Sequence, residues 1–192
     1  MARKDSEHQM KPDYKNWVPK SMVSGFLSGA AVALIAAGVV YRLMEVGTLK
    51  NVLLVVLAVA ALVFCVLTIW MYILHRAFAY DGKRQLSRQI IKGTAAYVKL
   101  PDSGCGLDVG CGSGALTIAC AKRNPKATIV GCDIWSGAYK TVFTKKRCED
   151  NAKAVGVSNI RFEEGNAIHL PFEDESFDAV TSNYVYHNIS VF

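Results

Sequence analysis

Three glycines at alternate positions, Gly110, Gly112 and Gly114, follow Asp108 at the end of an apolar run. The stretch reads Gly106-Leu107-Asp108-Val109-Gly110-Cys111-Gly112-Ser113-Gly114, and Ala115-Leu116-Thr117-Ile118-Ala119 leaves it with helical character. This is a strand, a tight turn and a helix start. Glycine at such a turn reaches positive φ without strain, and its missing Cβ lets a ligand lie against the backbone. The following helix aims free N–H groups at whatever binds there. A second carboxylate, Asp133, closes the apolar run Ile129-Val130-Gly131-Cys132. An acid about 20 residues past a glycine turn is placed to accept hydrogen bonds from two vicinal ribose hydroxyls. Two further strand ends offer Gly165-Asn166-Ala167, and Ser182, Asn183, Tyr184 and His187.

The elements that must position these residues alternate. Apolar runs and breakers predict a strand over 105–109, a helix over 113–123, a strand over 127–132, a helix over about 139–154, and strands over 159–163 and 177–182. Such alternation implies a parallel sheet with crossover helices, a doubly wound α/β fold. In these sheets ligands bind beyond the carboxyl ends of the strands, where all four residue groups above lie.

The first half of the chain has a different composition. Hydrophobic residues make up 52% of the protein, which directs attention to membrane segments. Residues 23–41 carry no charge and are rich in Gly and Ala; residues 52–74 carry none and are rich in Leu, Val and Ile. Each run approaches the roughly 20 residues that span a hydrocarbon core as a helix. A transmembrane helical hairpin over 23–74 is expected, with Gly25 and Gly29 allowing close helix approach. Residues 1–22 read as a polar tail, mostly irregular, and 75–98 as a linker whose 85–98 stretch is amphipathic. Arg3, Lys4, Lys11, Lys15 and Lys20 precede the first run and Arg76, Lys83, Arg84, Arg88 and Lys92 follow the second, against Arg42 and Lys50 between them. The positive-inside rule then places both termini in the cytoplasm of a cell membrane, with two spans.

Charge and cysteine usage narrow the function. Residues 1–98 carry 12 Lys/Arg against 5 Asp/Glu, and residues 99–192 carry 10 against 11. The folded half is near neutral, which argues against a nucleic-acid surface. The six cysteines form no C-x-x-C pair and have no histidine at ligand spacing, so no metal site is expected and the thiols read as reduced and mostly buried. Lys145-Lys146-Arg147 reads as a solvated helix face, and Glu173-Asp174-Glu175 as a loop.

Residues 107–114 resemble motif I of class I S-adenosylmethionine-dependent methyltransferases, and Gly131-Cys132-Asp133-Ile134 resembles the acidic end of their second strand. The stretch Gly165-Asn166-Ala167-Ile168-His169-Leu170-Pro171-Phe172-Glu173-Asp174-Glu175-Ser176-Phe177-Asp178-Ala179-Val180 is similar to the corresponding segment of the small-molecule branch of that family. The likeness covers residues 99–192, in order. It implies a Rossmann-like sheet and S-adenosyl-L-methionine as cofactor. By this resemblance the backbone at Gly110 and Gly112 lies against the cofactor's methionine and ribose, Cys111 and Gly114 belong to the cofactor-binding set, and Asp108 supports the turn and helps hold the amino group. Asp133 takes the ribose hydroxyls, Ile134 packs on adenine, and Asn166, Ala167 and Asn183 complete the binding set. Asn166 stands where the family has an Asp, and its amide carbonyl still accepts a hydrogen bond. His187 and Tyr184 are the candidates for a general base, wall contact being the alternative for both; a base is needed only if the acceptor loses a proton.

The family fold has seven strands, and the resemblance ends after the fourth, so the 99–192 domain is expected to be incomplete and the sequence truncated. Three functions follow: a membrane-anchored methyltransferase acting on a small or lipophilic acceptor; a non-catalytic S-adenosylmethionine-binding or remnant domain; and a nucleotide-binding oxidoreductase. G-x-G-x-G with Asp108, and Leu170-Pro171-Phe172, disfavour the third. The partners expected are the lipid bilayer and the acceptor.

Overall fold

In the computed structural model, which describes residues 11–136, 141–186 and 189, the elements run α1 (Lys20–Leu43), α2 (Thr48–Phe78), α3 (Leu86–Tyr97), β1 (Cys105–Val109), α4 (Ala115–Arg123), β2 (Thr128–Asp133), α5 (Lys145–Ala154), β3 (Ile160–Glu164) and β4 (Ala179–Ser182). They form two compact units. One comprises residues 16–87; the other joins the N-terminal segment through residue 15 to residues 88–192.

The first unit is a helical hairpin. Gly29 faces α2 so closely that a Cβ there would meet the Phe64 ring at 3.0 Å, whereas Gly25 has nothing within 4 Å. Of the two glycines expected to admit close approach, only Gly29 does so. Asn16 Nδ2 donates to the His75 carbonyl at 2.8 Å, and His75 Nδ1 donates to the Val18 carbonyl at 2.6 Å. Trp17 lies against Phe78 with ring centroids 5.9 Å apart. At the opposite end Lys50 Nζ donates to the Met44 carbonyl at 2.9 Å and lies 4.9 Å from the Tyr41 ring centroid. Both helices are long and apolar enough to cross a membrane, and their apolar side chains are largely uncovered. At 1.5 Å per residue, the 31 residues of α2 extend about 46 Å, well past a hydrocarbon core of about 30 Å.

The second unit is a four-stranded parallel sheet in the order β3-β2-β1-β4. Leu107, Val109, Val130 and Cys132, paired across β1 and β2, form a buried cluster on one face. The chain winds outward from β1 through β2 to β3, then returns to the other side of β1 as β4. That reversal puts the switch point between β1 and β4, with Val109 paired to Ser182. Side-chain amides tie the helix ends to the segments that flank the sheet. Asn124, after α4, accepts from Leu100 N at 2.9 Å and donates to the carbonyls of Cys120 and Val98. Asn159 Nδ2 reaches the carbonyls of Ala127 and Asn124 at 2.8 and 3.0 Å.

The helix expected over 139–154 starts at Lys145 instead. Thr141, Val142, Phe143 and Thr144 are β-branched or aromatic and favour extended backbone, and Thr144 becomes the N-cap, its hydroxyl accepting from Arg147 N at 3.1 Å.

The Phe162 ring and the Thr117 hydroxyl crowd the β2 position Gly131. A Cβ on Gly131 would meet the Phe162 ring at 2.7 Å and the Thr117 hydroxyl at 3.0 Å. Gly131→Ala should therefore destabilise the protein by about 1–3 kcal/mol through overpacking, measured by urea unfolding in detergent. The loss should shrink when Phe162→Leu is introduced alongside; additive effects would show that the ring does not set the limit.

Candidate cofactor site

The carboxyl ends of β1, β2 and β4 bring the expected residues to one rim. The turn after β1 is left-handed at each of its glycines, with φ of +71° at Gly110, +56° at Gly112 and +78° at Gly114. Their surroundings differ. A Cβ at Gly110 would strike the Val185 side chain, so the segment after β4 sits on this glycine. A Cβ at Gly114 would meet Phe162 at 3.0 Å and Cys148 at 3.3 Å, so that glycine lets α4 and α5 close on the sheet. Among the described residues, a Cβ at Gly112 would touch only Phe143, at 3.9 Å. Gly112 is thus the open stretch of the turn, where a ligand can rest on bare backbone.

Asp133 is bonded to this opening. Its Oδ2 accepts from Gly112 N at 2.8 Å and its Oδ1 from Trp135 N at 2.9 Å. The residue is only half-buried, and each carboxylate oxygen retains a lone pair. Trp135 Nε1 donates to the Gly112 carbonyl at 3.2 Å, and the Cys148 thiol donates to the same oxygen at 3.1 Å. Trp135 has φ +39°, and Tyr184, after β4, has φ +58°. Bulky residues in the left-handed region carry strain, and these two flank the rim.

Asp108 lies beneath the turn, not on its surface. It is 1% exposed; Thr117 Oγ1 donates to Oδ2 at 2.6 Å and Thr181 Oγ1 to Oδ1 at 3.1 Å. The carboxylate thereby binds α4 and β4 to β1. Burial pushes its pKa up from the ordinary 3.8 to about 6, against the opposing pull of the two hydroxyls and with a small further push from Asp133.

Asn166 is exposed, and its Oδ1 accepts from Ile168 N at 3.0 Å in an Asx turn. Ala167 packs against the β-sheet core, and Gly165 N donates to the Asp133 carbonyl at 3.1 Å, holding this loop to the end of β2. Ile134 is 45% exposed beside Asp133. Asn183 is half-buried and Tyr184 exposed after β4, while His187 lies outside the described residues. Burial raises the Cys111 thiol well above its ordinary pKa, a contact with Cys148 adding to it, and raises Cys132 to about 11, so both stay protonated near neutrality. Among the described residues no group of three or more His, Cys, Asp or Glu side chains is placed to hold a metal.

Three contributors were not singled out in the sequence. Trp135 follows Asp133 by two residues, and nothing in its type signals a bond to the glycine turn. Thr117 lies on the first turn of α4, where a hydroxyl facing the strand is the natural donor to a buried acid. Asn151 shares the buried stripe of α5 with Cys148 and Ala152; an amide on such a stripe must find partners.

A parallel sheet of this order, with an open glycine turn after β1 and an acid after β2, is of the Rossmann-like methyltransferase type. Residues 107–191 match the family model described as a methyltransferase domain, a family whose cofactor is S-adenosylmethionine. A demethylmenaquinone methyltransferase from Deinococcus radiodurans is 38% identical over 84 residues, covering 44% of this chain and 32% of that protein. Another, from Roseiflexus castenholzii, is 31% identical over 97 residues, covering 50% and 37%. The chain thus spans about a third of the length of these relatives. Among solved structures, the YcgJ protein of Bacillus subtilis is similar at 28% identity and a TM-score of 0.44, covering 54% of this chain and 41% of that one.

The buried acid generates a pH prediction. With its folded pKa at about 6 against 3.8, Asp108 favours the fold fully below pH 3.8, and that contribution is lost as pH rises through 6. The shift corresponds to about 3 kcal/mol. Asp108→Asn should raise the unfolding midpoint above pH 7 and leave it unchanged near pH 4, in denaturation followed by circular dichroism. Equal midpoint shifts at both pH values would show that the carboxyl ionises normally.

Proposed function

We propose that this chain carries the cofactor-binding part of a membrane-anchored S-adenosylmethionine-dependent methyltransferase acting on a small or lipophilic acceptor. The observation that carries the reading is the opening at Gly112 with the Asp133 carboxylate bonded to its N–H. A bare backbone surface beside a half-exposed carboxylate fits a ligand with an extended polar chain and a diol. Gly112 would bed the methionine and ribose portion, Asp133 the ribose hydroxyls, and Ile134 and Ala167 the adenine, with Asn166 beside its amino group. Gly110, Cys111, Gly114 and Asn183 shape the walls, and Asp108 holds the turn from beneath. When bound, the cofactor supplies an activated methyl group for in-line displacement. The chain's own residues fix its orientation and exclude water. Tyr184, strained at the rim, is positioned as a wall or proton acceptor for the acceptor molecule, and His187 follows it in sequence.

The membrane reading rests on the hairpin. Core helices of a soluble protein are mostly buried, yet Leu34, Ile35, Leu62 and Ile69 are each more than half exposed. Lipid would cover them. Residues 11–15 belong to the same compact unit as the part that follows the hairpin, which supports a reading with both flanks on one side of the membrane. The Lys/Arg distribution supports the cytoplasm as that side. Tethering raises the effective concentration of the site toward anything dissolved in the bilayer. The relatives' printed name gives demethylmenaquinone, a membrane-soluble quinone, as their acceptor, which supports a lipophilic acceptor here.

Two measurements test these statements. Calorimetry of the full chain in detergent should show S-adenosylhomocysteine binding and no NAD binding. Asp133→Ala should lose about 2–4 kcal/mol of affinity, and Asp133→Asn, which keeps one carbonyl acceptor, should lose less. Unchanged affinity would remove Asp133 from the ribose role. Reporters inserted after Lys20, Thr48 and Lys83 should read cytoplasm, exterior, cytoplasm. A cytoplasmic signal at Thr48 would sink the spanning hairpin.

A further inference from the structure

The segment that precedes the hairpin packs against the cofactor turn. Asn151, 3% exposed on α5, accepts from Asp13 N at 2.7 Å and donates through Nδ2 to the Asp13 carbonyl at 3.1 Å. One side chain thus pairs with both polar groups of a single residue, as a neighbouring strand would. The same Nδ2 donates to the Ser113 carbonyl at 3.0 Å. Ser113 Oγ in turn donates to the Tyr14 carbonyl at 2.9 Å, a buried bond across 99 positions of sequence. Arg147 Nη1 meets Asp13 Oδ2 at 3.1 Å, and Tyr14 is 7% exposed.

Ser113 sits between Gly112 and Gly114. Its carbonyl and hydroxyl are both bonded to the assembly of residues 13–14 and Asn151. A glycine-rich turn has little conformational preference of its own, so its shape must come from what holds it. From one side Asp133 takes the Gly112 N–H; from the other, the N-terminal segment takes Ser113. The ion pairs of Asp13 are partly solvated and add little. The buried amide and hydroxyl bonds are the ones that matter, because each broken one would strand a polar group.

We propose that residues 13–15 act as a strap that positions the cofactor turn, with Asn151 and Ser113 as its positioning residues. The cofactor-binding unit is therefore discontinuous, with the apolar hairpin inserted between the strap and the remainder. The inference rests on the cofactor reading above. None of the strap residues touches the reacting atoms; they act through Ser113 on Gly112.

The test uses the full chain in detergent, with S-adenosylhomocysteine as probe and hydrogen exchange followed by mass spectrometry over residues 110–114. Asn151→Ala and deletion of residues 11–15 should each weaken binding roughly tenfold and speed exchange in the turn. Ser113→Ala, which removes one hydroxyl and should leave the fold intact, should weaken binding roughly threefold. A peptide of residues 8–20 added to the deletion variant should restore affinity and slow exchange, which a general loss of stability would not allow. Unchanged affinity and exchange in Ser113→Ala and Asn151→Ala, or failure of the peptide to rescue, would overturn the strap. If the unaltered chain does not bind the probe, the cofactor reading fails and its strap role with it. Binding by the unaltered chain with no effect of the variants overturns the strap alone.

Discussion

The peptide group of Gly112 is the point on which the site depends. Its N–H donates to Asp133, and its carbonyl accepts from Trp135 and Cys148. These partners come from the end of β2, the loop two residues beyond it, and α5. A left-handed glycine, at which an added Cβ would meet nothing nearer than Phe143 at 3.9 Å among the described residues, would otherwise wander among several backbone basins. Three bonds, from two elements and the loop between them, hold it in one. The same bonds leave its Cα face bare, so the feature that makes the turn floppy also makes it a ligand bed. Rigidity is imported from outside the turn, and openness is kept.

Much of this architecture was legible because the governing pattern is local. The apolar runs ending in Asp108 and Asp133 mark β1 and β2 to within a residue, since a buried parallel strand needs an unbroken hydrophobic stretch and a polar residue where it meets the rim. β4 was legible in kind but shorter than expected. Phe177 turns aside to pack edge-on against Phe172 at 5.0 Å, and the Asp178 carboxylate accepts from Cys105 N. The hydroxyl partners of Asp108 were not legible. Thr117 lies in a helix and Thr181 in a strand more than seventy positions away, and only the β1–β4 register brings the second to the acid. The strap was hidden for a similar reason. Its sequence is polar and follows Pro12, which reads as an irregular tail, and it is irregular. What docks it is backbone, recognised by an amide in α5, and backbone recognition leaves no signature in the residues recognised.

The hairpin adds a topological condition. Under the proposed membrane reading, a segment on one flank bonded to a domain on the other flank needs both flanks in one compartment. An even number of spans satisfies that; a single span does not. Under that reading the charge distribution and the packing of residues 11–15 support the same arrangement from unrelated physics. One is the asymmetry of Lys and Arg about apolar runs, the other a set of buried hydrogen bonds within a single compact unit.

The two strand-end acids divide the work by burial. Asp108 is sealed, and the Thr117 and Thr181 hydroxyls with the Thr117 backbone N–H do not offset its desolvation, so its carboxyl holds its proton up to about pH 6. Asp133 accepts from two backbone N–H groups and keeps a solvent face. Only the second has lone pairs to offer a ligand; the first serves by joining α4, β1 and β4. The thiols follow the same division, because Cys111 and Cys132 are raised by burial and remain neutral wall groups. The rim thus presents oriented acceptors and apolar walls, with the Cys111 and Cys132 thiols neutral beneath them. Under the proposed reading that is the appropriate equipment: an in-line methyl transfer draws its reactivity from the cofactor, and the protein contributes the alignment that the Gly112 bonds and the strap provide.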